Sequence, residues 1–225
     1  RADARSLRGE VDALREEVLD AVERAPLVLA APTGSGKSTQ VPRWLPGRVV
    51  VVEPRRVACR SLAARVAELE GVPLGEDVGY VVRDDVRAGA ATRVRFVTPG
   101  IALRDLEALE RADHVVLDEL HERRLDVDLL LGLLAKRGRG LTVMSATLDG
   151  ERVAAHLGGR YLEGTGRLHP VDVRYLGSGA ALPSVKDLPE RVAQALARAA
   201  SDPGDVLVFL PGRAEIAACA DAIRG

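Results

Sequence analysis

The chain alternates between short apolar runs and longer amphipathic stretches. The apolar runs are rich in valine and leucine, which is typical of strands buried on both faces of a parallel sheet. We predict five such strands, over residues 27–31, 49–53, 94–98, 115–118 and 141–145.

Helical segments are predicted between these strands. In the first of them, Val11, Leu14, Val18 and Val22 recur on one helical stripe that ends before Pro26. Four further helices are predicted over residues 38–45, 57–69, 101–111 and 127–137. Strands that alternate with helices indicate βαβ units, so the sequence predicts an α/β fold with a doubly wound, mainly parallel sheet.

The texture of the chain changes after residue 147, where glycines and Pro170 mark a loop-rich stretch. Beyond it we predict strands over residues 171–176 and 206–210, and helices over residues 188–200 and 214–223. We place the domain boundary there. A first domain covers residues 1–166, and an incomplete second domain covers residues 167–225.

Composition limits the classes of partner. The formal net charge is −1, so a nucleic-acid surface would have to be a local arginine patch. Cys59 and Cys219 lie far apart without metal-ligand spacing, which predicts reduced thiols in a cytoplasmic protein. No stretch approaches the roughly 18 apolar residues of a membrane helix, so no membrane partner is expected. The chain begins at Arg1 without methionine, and we interpret it as a piece of a longer protein.

A glycine-rich loop follows the first strand and opens a helix, which is the setting of a phosphate-binding loop. Its glycines allow several backbone N–H groups to converge on phosphate oxygens. We expect the lysine to reach the β- and γ-phosphates and the first hydroxyl to bind Mg²⁺. Alanine replaces the usual first glycine. The predicted nucleotide-binding residues are Ala31, Pro32, Thr33, Gly34, Ser35, Gly36, Lys37, Ser38 and Thr39.

Two adjacent acids end the fourth predicted strand. Asp118 is the candidate partner of Mg²⁺, and Glu119 is the candidate group that orients and deprotonates an attacking water, beside the same metal. His121, Ser145 and Thr147 follow strands at the same predicted edge, where α/β proteins bind ligands. The other histidines lack ligand spacing, and a zinc site is not supported.

Taken in order, these segments resemble the DEAH-box family of superfamily 2 helicases and, within it, the bacterial HrpB group. The similarity covers residues 26–217. Leu120 stands where the family name has alanine. The matching segments are residues 31–39 for motif I, 54–56 for motif Ia, 98–100 for motif Ib, 118–123 for motif II, 145–147 for motif III and 208–212 for motif IV.

The resemblance implies RecA-like domains, ATP and Mg²⁺ as cofactors, and 3′-to-5′ movement on single-stranded nucleic acid, RNA more than DNA. It implies that His121 links the nucleotide site to the partner domain and that Arg65 stacks on the nucleotide base. Ser145 and Thr147 would couple hydrolysis to strand movement. The implied nucleic-acid contacts are Arg55, Arg56, Thr98, Pro99 and Gly100.

The residues themselves leave several alternatives open. Arg55 and Arg56 suit paired phosphate contacts, with solvated surface residues as the alternative, and Arg65 could simply face solvent. A GTPase would need Asp-x-x-Gly and Asn-Lys-x-Asp motifs, which the sequence lacks, and a kinase would usually lack the Asp-Glu-x-His and Ser-Ala-Thr motifs. A non-catalytic nucleotide- and nucleic-acid-binding module is the third reading.

Motifs V and VI of the family are missing from this chain. In the family they supply arginine fingers, which contribute about 10³–10⁵ in rate in P-loop enzymes. We therefore expect the chain alone to bind nucleotide weakly, to hydrolyse it poorly and not to unwind a duplex.

Overall fold

The apolar runs form the centre of one sheet, which three further strands extend. The computed structural model describes residues 10–146, 150–164, 171–175, 184, 187–201 and 204–224. All five predicted strands are confirmed, with ends shifted by one residue at most. The strands are β1 (Leu27–Ala30), β2 (Val49–Val52), β3 (Val78–Val82), β4 (Asp85–Arg87), β5 (Val94–Val97), β6 (His114–Leu117), β7 (Leu141–Ser145) and β8 (Arg160–Glu163).

The sheet has the strand order β4-β3-β5-β2-β6-β7-β1-β8. Its neighbouring strands are parallel, except that β3 and β4 form an antiparallel hairpin. Val52 at the end of β2 pairs with Leu117 of β6, and Ala30 at the end of β1 pairs with Ser145 of β7. The carboxyl ends of these strands therefore reach the same edge of the sheet.

Helices connect the strands. They are α1 (Arg15–Arg24), α2 (Lys37–Trp44), α3 (Arg56–Glu70), α4 (Pro99–Ala102), α5 (Leu106–Arg111), α6 (Leu125–Leu134), α7 (Gly150–Leu157), α8 (Leu188–Ala199) and α9 (Arg213–Arg224). The helix predicted over residues 101–111 is in fact two helices, α4 and α5. The break lies at Asp105, whose carboxylate accepts the Ala108 N–H at 3.1 Å and thereby begins a new helix.

Each face of the sheet buries its own apolar cluster, because successive strand residues point to opposite sides. Leu27 and Leu29 of β1 join a cluster with α1, α2 and α3. Val28, between them, joins a second cluster with α5, α6 and α7. The sheet is thus covered on both faces, as expected for a mainly parallel sheet.

Contacts divide the chain into two compact units, Arg1–Leu168 and His169–Gly225. The predicted boundary at residues 166–167 lies outside the described residues. In the second unit α8 packs against α9 and the two helices bury Val192 and Cys219.

The strands predicted over residues 171–176 and 206–210 are not formed. Residues 171–175 and 205–210 carry no strand hydrogen bonds, and Leu176 is not among the described residues. The apolar side chains of both segments are largely exposed, with Tyr175 at 89% and Phe209 at 88%. A strand needs a neighbour that completes its ladder of hydrogen bonds, and neither segment has one among the described residues.

Candidate nucleotide and nucleic-acid site

The candidate site lies at the carboxyl edge of β1, β6 and β7. These strands are neighbours in the sheet, in the order β6-β7-β1, although β1 is far from the other two along the chain. The glycine-rich loop leaves β1, and Asp118 directly follows β6. The Ala31 N–H donates to the Ser145 carbonyl oxygen at 3.0 Å, which ties the start of the loop to the end of β7. The fold therefore brings together segments that are distant in the sequence.

The loop has the backbone that an anion cradle requires. Gly34 has φ +84° and Gly36 has φ +90°, in the left-handed region that favours glycine. A Cβ built on Gly34 would meet nothing within 4 Å, so the space above the loop is open. Helix α2 begins at Lys37, and its free N–H groups favour a negative charge there. The Ser35 hydroxyl is buried without a hydrogen-bond partner among the described residues.

Lys37 points towards the acidic pair. Its side chain is 3% exposed, and its Nζ lies 3.9 Å from Oε1 of Glu119. An ammonium group buried to this extent needs a negative partner. In the structure the partner is Glu119, and the phosphates of a nucleotide would offer the same charge.

Asp118 is fully buried, and this controls its chemistry. Its Oδ1 accepts the Glu119 N–H at 2.8 Å, while its Oδ2 has no hydrogen-bond partner among the described residues. The pKa of Asp118 is raised to about 6, mainly by burial and also by the negative charge of Glu119. The Ser38 side chain and the positive charge of Lys37 oppose this rise. An unpartnered buried carboxylate oxygen near the Ser38 hydroxyl fits a hard cation that takes oxygen ligands.

Magnesium commonly retains several waters and binds through one or two carboxylates together with substrate phosphates. A closed protein cage is therefore not required. The described part of the chain contains no group of three or more His, Cys, Asp or Glu side chains that could hold a metal ion by itself.

Glu119 adopts a left-handed backbone conformation, with φ +56° and ψ +36°. This conformation is uncommon for a residue other than glycine and is often found at functional sites. A 3₁₀ turn over Leu120–Glu122 follows, and Arg123 closes it with φ +50°. Leu120 is 1% exposed and anchors the turn in the core. The large apolar residue at this position is therefore explained by packing.

His121 connects the acidic pair to the end of β7. Its Nδ1 lies 3.2 Å from Oε2 of Glu119 and 3.4 Å from the Ala146 N. A neutral ring nitrogen either donates or accepts, so the tautomer of His121 selects between these two partners. Ser145 is buried beside them. Thr147, which was also predicted here, lies outside the described residues.

Glu53 belongs to the same edge, although the sequence did not single it out. It follows β2, is 3% exposed, and accepts the Arg55 N–H on Oε1 at 3.2 Å. Burial, followed by the negative charge of Asp118, raises the pKa of Glu53 to about 8. The available signal in the sequence was a lone acid at the end of a valine run. Since β2 and β6 are adjacent, this acid lies beside the acidic pair that follows β6.

The predicted nucleic-acid residues lie on turns at this edge. Arg55 is exposed and contacts Glu122, at 2.5 Å between Nη2 and Oε1, and Arg56 donates to the Arg83 carbonyl oxygen. Thr98 precedes α4, which starts at Pro99, and a Cβ on Gly100 would meet nothing within 4 Å.

Arg65, the predicted base-stacking residue, lies on the exposed face of α3. Its Nη1 is 2.6 Å from Oε2 of Glu68, one turn further along the helix. The structure does not place it against the phosphate loop, and its role stays a prediction.

Comparisons with known proteins identify the family of the chain. The sequence pattern of the DEAD/DEAH box helicase family matches residues 13–155. The chain belongs to this family, and its sheet has the RecA-like arrangement of helicases.

Two relatives show where in the family the chain lies. It is 39% identical over 228 residues to the ATP-dependent RNA helicase HrpB of Escherichia coli, covering 92% of this chain and 27% of that protein. It is 38% identical over 233 residues to the Homo sapiens protein named "Probable ATP-dependent RNA helicase DHX35", covering 90% of this chain and 33% of that protein. The chain therefore spans about a third or less of these relatives.

Solved structures give the same result. A crystal structure of the Escherichia coli DEAH/RHA helicase HrpB superposes with a TM-score of 0.79 at 34% identity, covering 96% of this chain and 29% of that chain. A crystal structure of the Escherichia coli DExH-box NTPase HrpB gives 0.69 at the same identity and coverage. In the part of this chain that the structure describes, no helix is long and apolar enough to cross a membrane.

Proposed function

We propose that this chain is the nucleotide-binding part of an ATP-dependent RNA helicase or translocase. The observation that carries the proposal is the meeting of Lys37 and Glu119, 3.9 Å apart, beside the buried Asp118 at the open end of a glycine-rich loop. The names of the relatives support RNA and ATP as substrates. The activity of the whole protein is part of the proposal, because the chain covers only a fraction of each relative.

The loop N–H groups and Lys37 hold the phosphates of ATP. Ser38, Asp118 and Glu119 are the residues that would hold Mg²⁺, whose charge offsets that of the phosphates when it is bound. Glu119 accepts a proton from the attacking water, whose oxygen forms the new bond to the γ-phosphorus while the bond to the β-γ bridging oxygen breaks. Arg65 stacks on the base.

Nucleic acid binds on the neighbouring turns. Arg55 and Arg56 bind backbone phosphates through their guanidinium groups, and the Thr98–Gly100 turn adds a further contact. His121 together with Ser145 and Thr147 couples hydrolysis to movement of the strand. We expect single-stranded RNA to be preferred over DNA.

The free thiols of Cys59 and Cys219 support a reducing compartment, namely the cytoplasm. Both thiols are buried, and burial raises the pKa of Cys59 to about 12. A thiol of this kind is inert and serves packing.

The test measures phosphate release from ATP with and without single-stranded RNA, for this chain and for a longer polypeptide of the same protein. The longer polypeptide is expected to hydrolyse ATP faster with RNA, and Glu119→Gln is expected to abolish hydrolysis while nucleotide still binds, because the amide cannot accept the proton. Glu107→Gln on α5 is the matched control, since Glu107 is exposed and pairs with Arg111. Hydrolysis that is independent of RNA and insensitive to Glu119→Gln would contradict the proposal.

A further inference from the structure

Arg55 forms an ion pair with Glu122 within the protein. Its side chain is 71% exposed, yet its Nη2 lies 2.5 Å from Oε1 of Glu122, whose side chain is 21% exposed. The backbone of Arg55 is also held, because its N–H donates to Glu53. The pair joins the turn after β2 to the turn after β6. A phosphate that approaches Arg55 must share or replace this carboxylate.

Glu122 is mechanically linked to the proposed catalytic carboxylate. The Glu122 N–H donates to the Glu119 carbonyl oxygen at 3.0 Å, within the 3₁₀ turn. Residues in the left-handed region, Glu119 and Arg123, lie at both ends of this turn, while Leu120 fixes its middle in the core. Such strained turns persist only where surrounding contacts hold them, so the loss of one contact can shift them.

Other charged groups around Glu122 also bear on its ion pair with Arg55. Glu53, Asp118 and Glu119 lie close enough to interact electrostatically, and Glu122 belongs to the same acidic group. Arg55 contacts this group directly through Glu122. Arg124 also attracts Glu122 electrostatically, although its own ion pair is with Asp126. Arg56 donates instead to the Arg83 carbonyl oxygen, and Arg60 pairs with Asp85. When Arg55 leaves, Glu122 loses its direct ion pair, and its side chain is released from the turn after β2.

We propose that Glu122 is a positioning residue that reports nucleic-acid binding to Glu119. Backbone phosphate competes with Glu122 for the Arg55 guanidinium, because carboxylates and phosphates bind this group in the same bidentate manner. The release of Glu122 then relaxes the turn and reorients Glu119 for hydrolysis. This inference rests on the proposed function and assigns its regulation to one ion pair.

Thermodynamic linkage makes the inference measurable in two ways. If RNA changes the affinity for nucleotide by some factor, nucleotide changes the affinity for RNA by the same factor. Both effects should pass through Glu122. Removal of its charge should therefore weaken the coupling in both directions, whereas a purely structural role would not move it.

The test uses the full-length protein with Glu122→Gln and a single-stranded RNA oligonucleotide. Without nucleotide, we expect the variant to bind RNA about two- to five-fold more tightly, the size of an exposed ion pair that no longer competes. The ratio of RNA-stimulated to basal phosphate release should fall at least about three-fold. The factor by which a non-hydrolysable ATP analogue changes RNA affinity should approach one in the variant.

Three controls isolate the pair. Glu107→Gln removes an exposed carboxylate that pairs with Arg111 and should leave the coupling unchanged. Glu122→Asp retains the charge and should keep part of the coupling. In an Arg55→Ala background, Glu122→Gln should have no further effect on RNA affinity, as a double-mutant cycle requires of two residues that act through each other.

Two outcomes would overturn the inference. If Glu122→Gln retains the wild-type stimulation ratio and the wild-type effect of nucleotide on RNA affinity, Glu122 is not the link, although the proposed function stands. If the wild-type protein neither binds RNA nor hydrolyses ATP, the proposed function fails together with the inference.

Discussion

Asp118→Asn is expected to stabilise the folded chain at neutral pH while removing the carboxylate that the proposed site needs. Asp118 is fully buried, and burial raises its pKa to about 6 from an ordinary value of 3.8. Between pH 3.8 and about 6 the folded chain thus retains a proton that the unfolded chain has released, and at neutral pH the folded chain holds the carboxylate in its ionised form. Its ionised form is a cost to folding, which asparagine does not carry.

The size of the effect follows from the pKa values. The interval from 3.8 to about 6, at about 1.4 kcal/mol for each pH unit, corresponds to about 3 kcal/mol. This interval already includes the attraction to Lys37, so a gain of up to about 3 kcal/mol is expected for asparagine. Wild-type stability should fall as the pH rises from 3.8 to about 6 and should not change further through this group above it. At pH 5 the gain should be about half of that at pH 7.5.

Urea unfolding without Mg²⁺ or nucleotide provides the measurement. Trp44, the only tryptophan of the chain, lies on α2 in the first unit, so its fluorescence reports the unit that contains Asp118. Asp126→Asn is the control, because the hydrogen bond from Arg124 lowers the pKa of Asp126 and the substitution should bring no gain. If Asp118→Asn is no more stable than the wild type at pH 7.5, or gains equally at pH 5, our assignment of the buried charge is wrong.

Two further predictions follow from neighbouring residues. Glu53→Gln should change stability little near pH 5 and should stabilise the chain at pH 8.5. The reason is that a pKa raised to about 8 makes wild-type stability fall between pH 4.5 and about 8. Urea midpoints at both pH values test this, and equal midpoint differences between variant and wild type would contradict it. Arg55→Ala should reduce the slope of log RNA affinity against log salt by about 0.7, the value for one phosphate contact on a single strand. Fluorescence anisotropy with labelled RNA measures the slope, and Arg111→Ala on α5 should leave it unchanged; an unaltered slope for Arg55→Ala would remove this phosphate contact.

The central strands could be predicted from the sequence because they are buried on both faces. The run Val49–Val52 consists of four β-branched, apolar residues, which favour a strand buried on both faces. The outer strands lack this signal. Strand β3 contains Gly79, and β4 is a short, largely exposed segment joined to it by Arg83 and Asp84 rather than by a glycine turn. Their pairing arises from contacts across the sheet, which a local pattern does not contain.

The candidate site was predictable where spacing fixes geometry. A glycine-rich loop after a strand and an acid pair after another strand must meet if both strands are parallel and close in the sheet, and the structure places Lys37 beside Glu119. The involvement of Glu53 and Glu122 could not be predicted in this way. Their roles depend on which strands are neighbours and on the left-handed backbone at Glu119, and neither property is written in the local sequence.

The position of β1 in the sheet has a consequence for synthesis on the ribosome. This strand precedes β7 and β8 along the chain, yet Leu27 pairs with Thr142 on one side and with Arg160 on the other. Strand β2 pairs with β5 on one side and with β6 on the other, so these three strands can assemble first, while β1 must wait for both of its neighbours. We therefore expect the proposed nucleotide-binding loop to become ordered late, and a nascent chain that ends before β7 to retain no nucleotide.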